Sequence, residues 1–270
     1  MPNLTHVTDK PKGVVDPATA RKMFRLERYL PSKQLAHLLE HYWIVEWNLD
    51  GRPPYTQKTL PYPCVNLVFD KGRTAAFGVV SGAFDYTLKG SGRVLGLRFR
   101  PGAFRSLLGK PMHTLTDKTV SLRDTLGCDD LAAENLVLAA TDDAGMIAAA
   151  ESLLLQALPP ADPKVEKVNR LLQLLMAHPE MTRVEDLAAQ AQIGMRALQQ
   201  LFSDYVGVSP KWVIRRYRLQ EAADLLANGG ALDLADLAHS LGYFDQSHLT
   251  RDFQKLVGKA PAEYRKVNTA

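Results

Sequence analysis

The chain reads as two domains of different class. An α+β N-terminal domain is expected, a small β-barrel or cupin-like sandwich with flanking helices, followed by an all-α C-terminal domain of two helix-turn-helix units. Three observations carry this reading. The last third repeats itself: Val206-Gly207-Val208-Ser209-Pro210 returns 51 residues on as Val257-Gly258-Lys259-Ala260-Pro261. Leu198 and Phe202 return as Leu249 and Phe253 at the same offset, and Leu187-Ala188 returns as Leu237-Ala238 at an offset of 50, so one residue is gained in the intervening turn. A period shared by apolar positions and by Gly/Pro punctuation marks two copies of one structural unit. The first half instead alternates short apolar runs with turn residues. Between them lies Pro159-Pro160-Ala161-Asp162-Pro163, a stiff, helix-stopping stretch. The expected division is 17–158, a linker at 159–163, and 164–267.

Strands are expected over 42–47, 64–69, 75–80, 84–88 and 93–99, rich in Val, Phe, Tyr and Trp and bounded by Gly, Pro and Asp. Short helices should flank them over 33–40 and 103–108, with longer Ala/Leu-rich helices over 130–140 and 143–158. After the linker the 3.6-residue periodicity predicts helices over 164–177, 184–190, 195–205, 210–226, 234–241 and 246–256, and a last turn near 262–265. Several starts carry caps. Thr182 precedes Glu185 at capping-box spacing, Ser209 precedes Pro210, and Asp245 precedes Gln246.

Composition excludes more than it selects. The 270 residues hold 46% apolar and 23% charged side chains, ordinary for a globular chain of two cores. Two cysteines, Cys64 and Cys128, provide neither a disulfide framework nor a four-cysteine zinc site. No apolar run reaches membrane-spanning length and no basic-then-apolar leader opens the chain, so a cytoplasmic protein is expected. The net charge of +4 is split evenly between the halves and decides nothing. Local clustering is more telling: Lys211, Arg215, Arg216 and Arg218 lie within eight residues with no acid among them.

In each repeated unit the second helix has two faces. Leu198, Leu201, Phe202 and Tyr205 recur at core spacing, leaving Arg196, Gln199, Gln200 and Ser203 outward. Leu249, Phe253 and Leu256 do the same in the second unit, leaving Gln246, Ser247, His248 and Arg251. Arg donates two bonds to guanine, Gln pairs with adenine, and Ser or His reaches bases or phosphates. The connecting helix of 17 residues is about 26 Å long, enough to hold two such helices about one DNA turn apart. Its basic cluster, Lys211, Arg215, Arg216 and Arg218, would meet the phosphate backbone between grooves, one or two of these residues pairing internally instead.

These residues resemble the AraC/XylS-type DNA-binding domain. The likeness runs through Leu187-Ala188, Arg196-Ala197-Leu198-Gln199-Gln200-Leu201-Phe202 and Gly207-Val208-Ser209-Pro210, then Leu241-Gly242-Tyr243, Asp245 to Phe253, and Pro261-Ala262-Glu263-Tyr264-Arg265. The resemblance covers about 100 residues and implies a transcription regulator whose two recognition helices enter adjacent major grooves. It implies double-stranded DNA as partner and Arg196, Gln199, Gln200, Gln246, Ser247, His248 and Arg251 as contacts. Two positions depart from the pattern, both in the first unit. Gly194 stands where Ser usually caps, and Gln200 stands where Arg is frequent.

The N-terminal half resembles a module found in many such regulators, through Tyr29-Leu30-Pro31, His41-Tyr42-Trp43, Leu60-Pro61 and Arg98-Phe99-Arg100-Pro101-Gly102-Ala103. In this family that domain senses a ligand, mediates dimerisation, or both, so a small-molecule effector, a second copy of the chain and RNA polymerase are candidate partners. Trp43, Cys64, Asn66, Arg98 and Arg100 are the candidate effector contacts. Arg98 and Arg100 share strand parity and hence one face. Either they hold an anion there, or they pair with Glu46, Asp70 or Asp85; the aromatics serve either the pocket or the core. His37 and His41 sit four apart, as a metal pair on a helix would, but no third ligand has suitable spacing, and no metal or cofactor is expected. The alternative function is a DNA-repair or ligand-processing enzyme with a DNA-binding tail. An alkyl-transfer repair module needs four cysteines, and a lone thiol on an apolar strand is usually inert, so no catalysis is expected.

Overall fold

The computed structural model describes residues 4–9, 13, 16–227 and 233–269. Helix α1 (Pro17–Met23) leads into strands β1 (Arg25–Tyr29), β2 (Leu39–Asn48), β3 (Tyr55–Thr59), β4 (Asn66–Phe69), β5 (Ala75–Phe77), β6 (Phe84–Leu88) and β7 (Ser91–Phe99). Helix α2 (Arg105–Leu108), a 3-10 turn at Met112–Thr114, strand β8 (Thr119–Val120) and helices α3 (Leu122–Leu126), α4 (Asp130–Leu138) and α5 (Asp143–Gln156) complete the first half. Six strands form one antiparallel sheet in the order β1-β2-β7-β4-β5-β8, and β3 pairs separately with β6. The expected barrel is corrected here: among the described residues the strands do not close, and β1 and β8 stand at opposite edges.

Alternation along β2 sorts its side chains. Tyr42 and Ile44 are fully buried among the core residues of β4, β7 and α5, while His41, Trp43, Val45 and Trp47 project to the other face. There the indoles of Trp43 and Trp47 lie across Gly96 and Gly92, their partners on β7. A Cβ at either glycine would fall inside the indole, so these glycines serve close packing. The helix expected over 33–40 does not form. Residues 33–38 make turns, with Leu35 and Leu39 bonding back to Ser32 and Leu35, and β2 begins at Leu39 to put Leu39 and Tyr42 in the core. His37 and His41 therefore share no helix face. Burial, with Arg98 and Arg28 nearby, pushes the His41 imidazole down to about 3.

The second half contains α6 (Pro163–Ala177), α7 (Val184–Gln190), α8 (Met195–Leu201), α9 (Pro210–Ala227), α10 (Leu234–Ser240), α11 (Gln246–Val257) and α12 (Pro261–Thr269). Asp162 caps α6 and Asp245 caps α11, accepting from Lys164 N at 2.9 Å and His248 N at 2.7 Å, while Ser209 Oγ accepts from Trp212 N at 3.2 Å. The capping box at Thr182 is absent: α7 begins at Val184 as expected, which puts Arg183 at the N-cap with no side-chain bond, and Thr182 packs against Gly242 instead. Two helical cores share α9. Val213 and Ile214 join α6–α8, whereas Leu219, Ala222, Ala223 and Leu226 join α10–α12. The N-terminal half contributes Val79 to the first of these cores and Leu60 to the second, so strand loops and C-terminal helices are packed together. No helix among the described residues is long and apolar enough to cross a membrane.

Candidate nucleic-acid interface and interdomain cavity

The two units end their first helices identically. Ala191 and Gln192 bond back to Leu187 and Ala189, and Ile193 to Ala188; Leu241, Gly242 and Tyr243 repeat this with Leu237, His239 and Ala238. Gln192 and Gly242 take the left-handed turn position, with φ of 52° and 71°. The next helices are capped by Gly194 and Asp245, a separation of 51 rather than 50. Thus Phe244 is the residue gained in the second turn. It is 87% exposed, immediately before the helix that carries Gln246, Ser247, His248 and Arg251. Sequence periodicity missed it because it lies in neither helix; the change of offset from 50 to 51 was the available clue.

Arg196, Gln199 and Gln200 are exposed on α8, and Gln246, Ser247, His248 and Arg251 on α11. Gln200 is partly occupied, donating to Asp204 at 2.9 Å, and Ser203 meets His113 at 3.2 Å. Leu198 and Phe202, like Leu249 and Phe253, are fully buried beneath these faces. Local folding thus explains the two-faced helices: an apolar stripe anchors each, and its opposite side is left to water.

The basic cluster of α9 is dispersed. Lys211 is exposed, and Arg215 is ion-paired with Asp252 at 2.8 Å. Arg218 bonds the Leu241 carbonyl and stacks on Tyr243 at 3.9 Å. Arg216 corrects the expectation that it meets DNA backbone: it is 3% exposed, donates to the Pro61 carbonyl and to Gln220, and burial pulls it down to about 10. Its place in the helix period turns it toward Leu60–Pro61 rather than outward.

Arg216 reaches a cavity of about 590 Å³ between the sheet and the C-terminal helices. Trp43, Cys64, Asn66 and Arg98 line it, and Trp43 Nε1 donates to Asn66 Oδ1 at 3.1 Å. Arg98 pairs with Glu40 at 3.2 Å and stacks on Tyr62 at 3.8 Å, rather than pairing with Glu46, Asp70 or Asp85. Arg100 does not line the cavity. β7 ends at Phe99, so strand parity fails one residue later, and Arg100 donates to the Ala36 carbonyl at 2.8 Å. The Cys64 thiol is buried and pushed up to about 11 by that burial, which keeps it protonated and unreactive at neutral pH. α9 closes this cavity with Arg216 and Tyr217, a closure with no signal in the sequence, since no local pattern reports a contact across about 150 residues of chain.

Residues 187–267 match the family described as helix-turn-helix domain, and residues 27–121 match the family described as domain of unknown function (DUF6597). An AraC-like transcription regulator of Streptomyces lividans is 39% identical over 83 residues, 31% of this chain and 27% of that protein. The RCS-specific HTH-type transcriptional activator RclR of Escherichia coli is 35% identical over 82 residues, 30% of this chain and 28% of its own length. The chain therefore spans about a third of the length of the curated relatives it matches. Among solved structures, unsaturated fatty acid bound ToxT from Vibrio cholerae is 12% identical, with 92% of each chain covered and a TM-score of 0.40. Residues 187–267 are thus similar to the helix-turn-helix part of AraC-like transcription regulators, and residues 27–121 to a family of no assigned function.

Proposed function

We propose that the chain is a sequence-specific DNA-binding transcription regulator in which residues 164–267 read DNA and residues 17–158 sense or oligomerise, joined by the 159–163 linker. The observation that carries this is the exposed row Gln246, Ser247, His248 and Arg251 on a helix held by a fully apolar inner face. Arg196, Gln199 and Gln200 serve the second groove, and Lys211 and Arg215 the backbone. α9, with 18 residues, is about 27 Å long, which suits units about one DNA turn apart. The cavity is the effector site, and a small molecule there shifts the DNA-competent population by its differential affinity for the two domain arrangements. A second copy of the chain and RNA polymerase are the proposed macromolecular partners in the cytoplasm, with no catalytic step.

Selection of the purified protein against a random DNA library tests this. A bipartite motif with half-sites about one helical turn apart is expected, and recovery of DNA without any shared motif would overturn it.

A further inference from the structure

The outward row of α8 does not end within the C-terminal half. Arg196 and Ser203 are seven residues apart and share one face. Ser203 Oγ lies 3.2 Å from Nδ1 of His113, which belongs to the N-terminal half. The first residues of a recognition helix meet base edges. Ser203 comes about 10 Å further along, in a groove about 12 Å wide, and so reaches the border where phosphates run. His113 stands at that border, with Lys110 exposed three residues before it.

The turn that carries them is fixed. Thr114 N and Leu115 N each bond back at 3.0 Å, to the Pro111 and Met112 carbonyls. Met112 and Leu115 are buried in the N-terminal core, and Thr116 holds the Gly207 carbonyl, which leaves His113 outward. The acids nearby are engaged: Asp204 accepts from Gln200 at 2.9 Å, Asp117 from Ser81 at 2.7 Å, and Asp162 from Tyr205 at 2.7 Å. Among the described residues Lys110 has no ion pair. With Ser203 donating to Nδ1, the neutral imidazole of His113 carries its proton on Nε2, a donor left for another acceptor.

We infer that the N-terminal half itself touches DNA, with His113 and Lys110 gripping a phosphate at the edge of the half-site read by α8. This rests on the DNA-reading proposal above and extends it to the other domain. Donors on a turn already fixed lose little freedom on binding. A phosphate contact sets register without carrying sequence information, so the grip strengthens all sites alike. The first unit gains most from it, because Gln200 is neutral and already bound to Asp204.

Fluorescence anisotropy of the full chain on its selected duplex tests the inference, with Lys110→Gln, His113→Ala and the double variant across a salt series. Each single variant should bind more weakly, Lys110→Gln lowering the slope of log affinity on log salt by about 0.9 and His113→Ala leaving that slope in place. The double variant should lose at least about fivefold, on selected and scrambled duplexes alike. Loss of docking alone would also weaken binding, so duplexes with one methylphosphonate linkage, moved through the site, give the decisive readout. One linkage beside the first half-site should weaken the parent protein and leave the double variant unaffected. Unchanged affinity in either single variant, tighter binding by the double variant, or losses that add at every linkage each overturns the inference. Tighter binding would make this turn a block to DNA instead. Library selection on the parent protein separates the two readings: a bipartite motif would survive failure of the phosphate grip, whereas absence of a motif would end both.

Discussion

In the first helix-turn-helix unit, residues 202–206 widen into a π turn, and Gly207 rests against the 3-10 segment of the N-terminal half. Thr116 donates to the Gly207 carbonyl at 2.6 Å, and nearby Trp212 donates to the Ser81 carbonyl at 3.0 Å. In the second unit, the equivalent residues 253–257 stay α-helical, and Gly258 meets only the flexible end of Lys58. The two shoulders share Phe, Val, Gly and Pro at equivalent positions and differ at the rest. Their neighbours differ too: the repeat supplies a shared scaffold, the first copy docks on the 3-10 segment, and the second meets the side chain of Lys58. The N-terminal half is therefore joined by hydrogen bonds to the first unit and to α9.

Alanine at the two glycines should break this comparison most strongly. Both sit at positive φ, 91° and 80°, where a side chain costs about 1–2 kcal/mol. At Gly207 the new Cβ would also stand 2.9 Å from Thr116 Oγ1 and 3.0 Å from the Met112 carbonyl oxygen, adding about 1–3 kcal/mol of overpacking. At Gly258 the nearest atoms belong to Lys58, which can move aside. Urea unfolding should thus show Gly207→Ala losing about 2–5 kcal/mol and Gly258→Ala about 1–2. Equal losses would mean that the N-terminal half does not hold the first shoulder.

Next in size is the contrast between the reading faces. Arg251 is exposed and holds only a long 3.4 Å bond to the Ser247 carbonyl, whereas Gln200 of the first unit is already engaged by Asp204. Arg251→Ala is expected to cost about 1–3 kcal/mol in binding to the selected site, with relaxed preference at one base. Gln200→Ala should cost less than 1 kcal/mol. If Arg251→Ala instead weakens all sequences evenly and lowers the salt slope, Arg251 contacts phosphate and reads no base.

The contrast also shows how far the residues alone could be read. Everything fixed by local periodicity was legible: the helix pairs, the caps at Ser209 and Asp245, the inner stripes of Leu198 and Phe253, the exposed rows. Strand cores were legible where alternation was strong, as at Phe84–Leu88, while β1 and β3, with polar sequences, were invisible until their partners supplied the ladder. The cavity was half legible. Trp43, Cys64, Asn66 and Arg98 could be named from strand chemistry, but Arg216 read as part of a basic run because nothing in its neighbours announces Pro61 across the interface. Arg100 failed for the opposite reason: parity was extended past a strand that stops at Phe99.

Phe244 sharpens the comparison at a smaller scale, because the first unit has no equivalent residue. Phe244 is exposed just before α11, and if that helix enters the major groove as proposed, an aromatic there is expected to cover a thymine methyl. Removing that contact should cost about 0.8 kcal/mol, the value of one buried carbon. Two substitutions should therefore coincide. Phe244→Ala should weaken binding to the selected site, and replacing thymine by deoxyuridine should weaken the parent protein at one position while leaving Phe244→Ala unaffected. Additive losses from the two changes would separate Phe244 from any methyl.

The smallest expected effect concerns the caps. Gly194 opens α8 without a side-chain bond, while Asp245 opens α11 by accepting from His248 N, so α11 is the better anchored at its N-terminal end. Gly194→Ser supplies the missing acceptor at a φ of −61°, which serine adopts without strain, and should stabilise by a few tenths of a kcal/mol. Asp245→Gly removes the acceptor together with a charge that favours the helix N-terminus, a loss of up to about 1 kcal/mol. Amide exchange at residues 196–198 and 247–249 is the sensitive measurement. Protection should rise in the first set with serine and fall in the second with glycine, bringing the two units closer to one another. Unchanged exchange in both sets would assign the difference between the helices to the shoulder at Gly207 rather than to their starts.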